Sequence, residues 1–232
     1  MIEMLFFIAD AWLIFVGFFF GFRFIRRYKN YFLGLECLVV GTSATNFLLW
    51  SLLSGSDPTN AMYTIAYFLD AFSRSFGFTL VLILGLMMVT HRYKPALWHE
   101  IGAFALAAVG GAYLVTLHQG GKYDVGPATF FLVMNLIASV FLFYFAARVW
   151  RGGARGWSVA VTLITLVAMV IAVTYDFFPW PFDDAYRSYF YTAALATWGT
   201  QGFVYFKGYK ALYNHNARED AAAAANKQGV LS

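Results

Sequence analysis

Apolar residues run along this chain in seven long segments, and polar residues are concentrated in the short stretches between them. A helix of about 20 apolar residues crosses the roughly 30 Å of hydrocarbon in a bilayer. The pattern therefore predicts an all-α integral membrane protein with seven transmembrane helices. The predicted segments are Glu3–Phe22, Tyr31–Gly55, Ala61–Thr90, Ile101–His118, Gly126–Trp150, Trp157–Phe178 and Ser188–Phe206.

Basic residues predict the orientation of these segments. Thirteen of the sixteen Lys and Arg residues fall in alternate loops and in the C-terminal tail, whereas the opposite loops contain only Lys122 and Arg187. Short loops rich in Lys and Arg remain on the cytoplasmic side of a membrane. We therefore expect the N-terminus outside and the C-terminus in the cytoplasm, which agrees with an odd number of crossings.

The composition leaves little room for a soluble domain. Hydrophobic residues make up 61% of the chain and charged residues 12%, whereas charged residues supply about a quarter of a typical soluble domain. We expect one transmembrane domain, residues 1–212, followed by a cytoplasmic tail, residues 213–232. The net charge of +4 follows from the loops and favours contact with the lipid bilayer, most simply a bacterial inner membrane. The basic residues are spread over several loops and form no continuous basic face that would bind nucleic acid.

Charged and amide side chains inside the apolar segments are the candidate functional residues. An ionisable group in hydrocarbon costs roughly 3 kcal/mol unless it is paired or hydrated. At about 1.5 Å of helix rise per residue, six such residues from five segments lie in one layer near the outer boundary. We interpret this layer as an outward-facing vestibule that binds a small solute or ion. Its residues are Asp10, Asn46, Asp70, Arg74, Asn135 and Asp176.

Arg74 is the one cation deep inside a predicted segment. Its spacing of four from Asp70 places both side chains on one helix face, where they can form an ion pair. Asp10 and Asp176 lie at a similar depth, so Arg74 is expected to contact at least one carboxylate among the three. Two readings remain open: a structural ion pair, or a guanidinium that holds an anionic ligand group.

A second polar layer is predicted about 9 Å from the cytoplasmic edge. Glu36 and Gln201 have the same estimated depth there, and Trp198 lies one turn away on the face of Gln201. Glu36 has no basic residue within one helical turn, so its carboxyl is expected to be protonated or beside water. We interpret these three residues as an inner gate in which Glu36 and Gln201 share a proton or a hydrogen bond.

The sequence lacks the residues that a metal site, a haem site or a retinal site would require. The single cysteine, Cys37, and four histidines at segment ends or in loops predict no metal site and no haem. Lys207 and Lys210 lie at the end of the last segment, so a Schiff-base retinal is not expected. We therefore expect no cofactor, and an enzyme is the least favoured class. The prolines lie at segment ends, which predicts helices without internal breaks.

Three functions remain in competition. The favoured one is a transporter or channel-like protein for a small solute or ion, with an outward-facing polar vestibule and an inner acidic gate. The alternative is a seven-helix sensor or receptor without transport, or the membrane subunit of a larger complex, with a protein partner at the cytoplasmic loops and tail. The third is a protein that binds a lipid, a quinone or a pigment, which rests on Trp198 and the many aromatic residues.

Overall fold

The computed structural model describes residues 1–53, 59–117, 125–178, 180–184 and 187–231. These residues form seven long helices and, within the described ranges, no strand, which confirms the all-α prediction. The predicted segment ends Gly55 and His118 lie outside the described residues. The helices are α1 Ile2–Tyr28, α2 Tyr31–Leu53, α3 Ala61–Thr90, α4 Leu97–Leu117, α5 Val125–Arg151, α6 Arg155–Asp176 and α7 Ser188–Leu231.

Helices α1 to α6 are each long and apolar enough to cross a membrane. This makes the chain a multi-pass membrane protein. Helix α7 is long enough to cross a membrane but is less apolar than the other six helices, because Thr192, Thr197 and Gln201 interrupt its apolar residues. A seventh crossing by α7 and the orientation of the termini stay predictions.

Consecutive helices run in opposite directions, which gives the bundle two chemically different ends. One end holds the basic stretches from Arg23 to Lys29 and from Arg148 to Arg155, where α1 is followed by α2 and α5 by α6, and we call it the basic end. The other end holds the start of α1 together with Asn60 and Asp176, and we call it the N-terminal end.

Helices α1 and α2 pack backbone to backbone. A methyl group on Gly17 would lie 2.7 Å from the Cα atom of Gly41, and one on Gly21 would lie 3.0 Å from the carbonyl oxygen of Gly34. Small residues allow helices in a membrane to approach this closely. The contact fixes α1 and α2 as one unit, on which α3 and α7 pack.

Asn30 joins three helices at the basic end. It is fully buried, and its Nδ2 atom donates hydrogen bonds to the carbonyl oxygen of Gly85 at 2.8 Å and to the hydroxyl of Tyr209 at 3.2 Å. Its Oδ1 atom accepts a hydrogen bond from the backbone N–H of Leu33 at 3.0 Å, at the start of α2. One side chain thus caps α2 and links it to α3 and α7.

Replacing Asn30 with alanine is expected to lower the free energy of unfolding by roughly 2 kcal/mol or more, because buried backbone groups lose their partners. The exposed Asn214 on α7 is the matched control, and Asn214→Ala should change stability by less than about 0.5 kcal/mol. Denaturant unfolding in detergent measures both values. Equal losses in the two variants would contradict a bridging role for Asn30.

Helix α3 changes its hydrogen-bonding pattern in the middle. Residues Ala61–Phe72 and Leu82–Thr90 are α-helical, whereas Ser73–Val81 form a π-helix. Among the described residues no proline lies in the middle of a helix, and the positions of the prolines give no signal for this wider stretch. π-helical turns are rare and frequently lie at functional sites. The side chains on the π segment of α3, and those that contact it, are therefore candidate functional residues.

Helix α7 continues through the predicted tail, so residue 213 does not begin a separate element. Asn216 Nδ2 donates to the carbonyl oxygen of Val89 at 2.8 Å. Arg92 forms ion pairs with Glu219 at 2.9 Å and Asp220 at 2.5 Å. These contacts attach the first turns of the predicted tail to the end of α3, whereas residues 221–228 are exposed.

Candidate functional site

Arg74 lies at the start of the π segment and pairs with two carboxylates. Its Nη1 atom is 3.3 Å from Oδ2 of Asp70, one turn earlier on α3, and its Nη2 atom bonds to Oδ2 of Asp176 at the end of α6. The expected contact between Arg74 and a carboxylate is therefore confirmed for Asp70 and Asp176. The cluster joins α3 to α6 at the N-terminal end.

Two aromatic rings hold the guanidinium of Arg74 in place. Its Cζ atom lies 4.0 Å from the ring centre of Tyr175 and 4.3 Å from that of Phe131. Such cation–π contacts add to the ion pairs and restrict the orientation of the planar group. Sequence reasoning missed both rings. The position of Tyr175 directly before Asp176 was the available signal, whereas Phe131 belongs to α5 and had none.

Trp198 lies with this cluster. Its ring stacks on Tyr175 with 6.1 Å between ring centres and 29° between planes. The ring points this way because helical side chains lean toward the N-terminus of their helix, and the role of Trp198 in an inner gate stays a prediction. On α7 that direction leads to the N-terminal end, where Tyr175 lies.

The other three members of the predicted vestibule do not join Arg74. Asn46 Nδ2 donates to the carbonyl oxygen of Met62 at 2.9 Å. The carbonyl oxygen of Asn135 accepts a hydrogen bond from Ser139 Oγ at 2.8 Å, within α5. Asp10 is fully buried on α1, and neither carboxylate oxygen has a hydrogen-bond partner among the described residues. The prediction of one six-residue site is corrected to the cluster of Arg74, Asp70 and Asp176, since equal depth does not fix the direction in which a side chain points.

Glu36 lies between α2 and the π segment. It is 5% exposed, and neither of its carboxylate oxygens has a hydrogen-bond partner in the described part of the chain. A methyl group on Gly77 would lie 2.7 Å from Oε1 and 2.8 Å from Oε2. The carboxyl therefore occupies the space that a side chain at Gly77 would need, and the Ser73 hydroxyl faces it from the preceding turn.

Gln201 does not bond to Glu36, so the predicted link between the two is wrong. Its Nε2 atom donates to the hydroxyl of Tyr205 at 2.7 Å, and that hydroxyl lies 2.8 Å from Thr165 Oγ1 on α6. Gln201 points into the interface between α6 and α7, whereas Glu36 points at α3. Glu36 and Gln201 therefore do not form one polar cluster.

The π segment connects the two candidate groups. Arg74 and Gly77 are three residues apart on it, so the ion-pair cluster and the Glu36 carboxyl lie about one helical turn from each other along α3. A change in the winding of this segment would move both together.

Among the described residues, no group of three or more His, Cys, Asp and Glu side chains is placed to hold a metal ion. No protein-family model, curated protein or solved structure matches the sequence. The fold and composition define a multi-pass helical membrane protein, and a fold of this kind does not by itself imply a function.

Proposed function

We propose that the protein is a proton-coupled membrane transporter for a small solute or ion, with Glu36 as its proton-binding group. The observation that carries this proposal is the Glu36 carboxyl, which is buried against Gly77 of the π segment, faces the Ser73 hydroxyl and has no cation beside it in the described residues. We place the N-terminal end outside, because the basic loops lie at the opposite end.

A proton is the ligand that suits this carboxyl. An ionised carboxylate without a cation or a hydrogen bond is strongly disfavoured in an apolar interior, whereas the protonated acid carries no net charge. A proton also needs no cavity, and Glu36 packs directly on the helix backbone of Gly77. The packing around Glu36 is therefore compatible with repeated uptake and release of a proton.

Movement of the π segment would couple the proton to a solute. When Glu36 loses its proton, the new charge has to find water or a partner, and a shift of the π segment, with Gly77, away from Glu36 would admit either. The same shift would displace Arg74 and loosen its contact with Asp176 on α6. Proton release from Glu36 would thus open the ion-pair cluster one helical turn away, a linked movement of the kind that alternating access uses.

A second candidate, the membrane subunit of a larger complex, is supported by the end of α7. Residues 221–228 of this helix are exposed along their whole length. A protein partner at the basic end would cover these exposed turns of α7. Transport by the purified chain without any partner separates the two functions.

Reconstitution of the purified chain in sealed liposomes tests the proposal. With a pH-sensitive dye inside and a panel of small anions and cations outside, at least one solute is expected to move protons with it. Glu36→Gln should abolish the proton movement while the protein still folds, because the amide cannot release a proton.

The matched control is Glu100→Gln, which removes a carboxyl from the first turn of α4. This variant should move protons at the wild-type rate. Proton movement that persists in Glu36→Gln, or that no solute induces in the wild type, would refute the proposal.

A further inference from the structure

Arg187 is an arginine of the N-terminal end whose guanidinium lies among aromatic rings. It directly precedes α7 and has a left-handed backbone conformation, with φ of 55°. Its Cζ atom lies 4.3 Å from the ring centre of Phe190, 5.7 Å from that of Tyr191 and 5.8 Å from that of Tyr175. Three rings therefore line the space around this cation.

One edge of the Arg187 guanidinium has no acceptor. Its Nε and Nη2 atoms are buried, and neither donates a hydrogen bond to any described residue. These two nitrogens share one edge of the planar group, and their N–H bonds run parallel. Such an edge matches the two oxygens of a carboxylate.

The two acidic residues shortly before Arg187 in the chain accept hydrogen bonds from backbone N–H groups at the start of α7. Asp183 accepts hydrogen bonds from the backbone N–H groups of Tyr189 and Phe190, each at 3.0 Å. Asp184 accepts one from Ser188 at 2.9 Å. Both carboxylates thus cap the start of α7, and neither accepts a hydrogen bond from Nε or Nη2 of Arg187.

Tyr175 connects Arg187 to the ion-pair cluster. The same ring lies 4.0 Å from Cζ of Arg74 and 5.8 Å from Cζ of Arg187. Arg74 already has two carboxylate partners, whereas the Nε and Nη2 edge of Arg187 has none in the described residues. Of the two arginines beside this ring, Arg187 is thus the one able to accept a new anionic group.

We propose that Arg187 binds the carboxylate of a small organic acid, and that such acids are the solutes that the protein transports. The carboxylate oxygens accept hydrogen bonds from Nε and Nη2, and the rings of Tyr175, Phe190 and Tyr191 cover the remainder of the molecule. This assignment of the solute class rests on the transport function proposed above. Burial of a guanidinium edge without an acceptor is unfavourable, and a bound carboxylate removes that penalty.

Binding to the purified protein in detergent tests the site without a membrane gradient. Trp180 lies 5.4 Å from the ring of Phe190 and Trp198 lies 6.1 Å from that of Tyr175, so tryptophan fluorescence reports on the site. Acetate, succinate and benzoate are the probes, with inorganic phosphate and ethylammonium as comparators. At least one carboxylate should bind saturably and more tightly than phosphate or ethylammonium.

Variants of Arg187 assign the binding to its guanidinium. Arg187→Gln should weaken carboxylate binding at least tenfold, because two charge-assisted hydrogen bonds are lost. Arg187→Lys keeps the charge without the parallel edge and should also weaken binding. The control is Arg155→Gln at the basic end, which removes another arginine beside an aromatic ring, Trp150 at 5.4 Å, and should leave binding unchanged.

The outcomes separate this proposal from the transport function. Absence of carboxylate binding, unchanged affinity in both Arg187 variants, or equal binding of phosphate would overturn the carboxylate site and leave proton coupling at Glu36 standing. Carboxylate binding that depends on Arg187, in a protein that moves no protons in liposomes, would keep the site and refute the transporter.

Discussion

Replacing Arg74 with methionine is expected to lower the free energy of unfolding by about 3 to 5 kcal/mol. The substitution keeps an apolar chain between Tyr175 and Phe131 but leaves Asp70 and Asp176 without their cation. The three side chains are only 18%, 27% and 23% exposed, so water screens the remaining carboxylates poorly. Loss of the ion pairs should also separate the end of α6 from α3.

Two further variants isolate the ion pairs as the cause. Arg92 also pairs with two carboxylates, but its side chain is 48% exposed, so Arg92→Met should lower stability by less than about 1 kcal/mol. The triple variant Arg74→Met, Asp70→Asn, Asp176→Asn should recover much of the stability, because no unpaired charge remains. Losses of equal size in Arg74→Met and Arg92→Met would contradict an ion-pair cluster that is partly buried.

Adding a methyl group at Gly77 is expected to disturb both stability and proton coupling. In Gly77→Ala the new atom would lie 2.7 and 2.8 Å from the two oxygens of Glu36, closer than nonbonded contacts allow. Relief of this overlap requires a shift of the carboxyl or of the π segment, with an expected loss of about 1 to 3 kcal/mol. Proton movement in liposomes should fall with it, since the carboxyl leaves its place.

A double-mutant cycle assigns that effect to the contact between the two residues. Glu36→Ala creates space for the methyl group, so Gly77→Ala should cost less in its presence than in the wild type. At Gly102, no neighbouring atom lies within 4 Å of an added methyl group, and Gly102→Ala should be neutral or slightly stabilising. Additive losses in the cycle would show that Glu36 does not press on Gly77.

The sequence predicted features that depend on spacing along one helix. The pair of Asp70 and Arg74 follows from a separation of four residues and is confirmed. The apolar segments follow from hydropathy alone, and six of them are helices long enough to cross a membrane. Asp176 was correctly grouped with Arg74 because the depth of a residue along a helix can be estimated from the end of that helix.

Features that depend on rotation about the helix axis could not be predicted. Glu36 and Gln201 share a depth but point into different interfaces, and Asn46 and Asn135 bond within or beside their own helices. The π segment has no local signal in the sequence, and it packs against α2, α4 and α5. Asn30 lay in a short loop, where nothing indicated that it would reach Gly85 and Tyr209.

The state of the Glu36 carboxyl is the measurement that tests the central claim most directly. Infrared spectroscopy distinguishes a protonated carboxyl from a carboxylate, and comparison of the wild type with Glu36→Gln assigns the band. The proposal predicts a protonated carboxyl band in the resting protein at neutral pH that is absent from Glu36→Gln and that changes when transport begins. A Glu36 that is a carboxylate throughout, or a band that stays constant during transport, would contradict it.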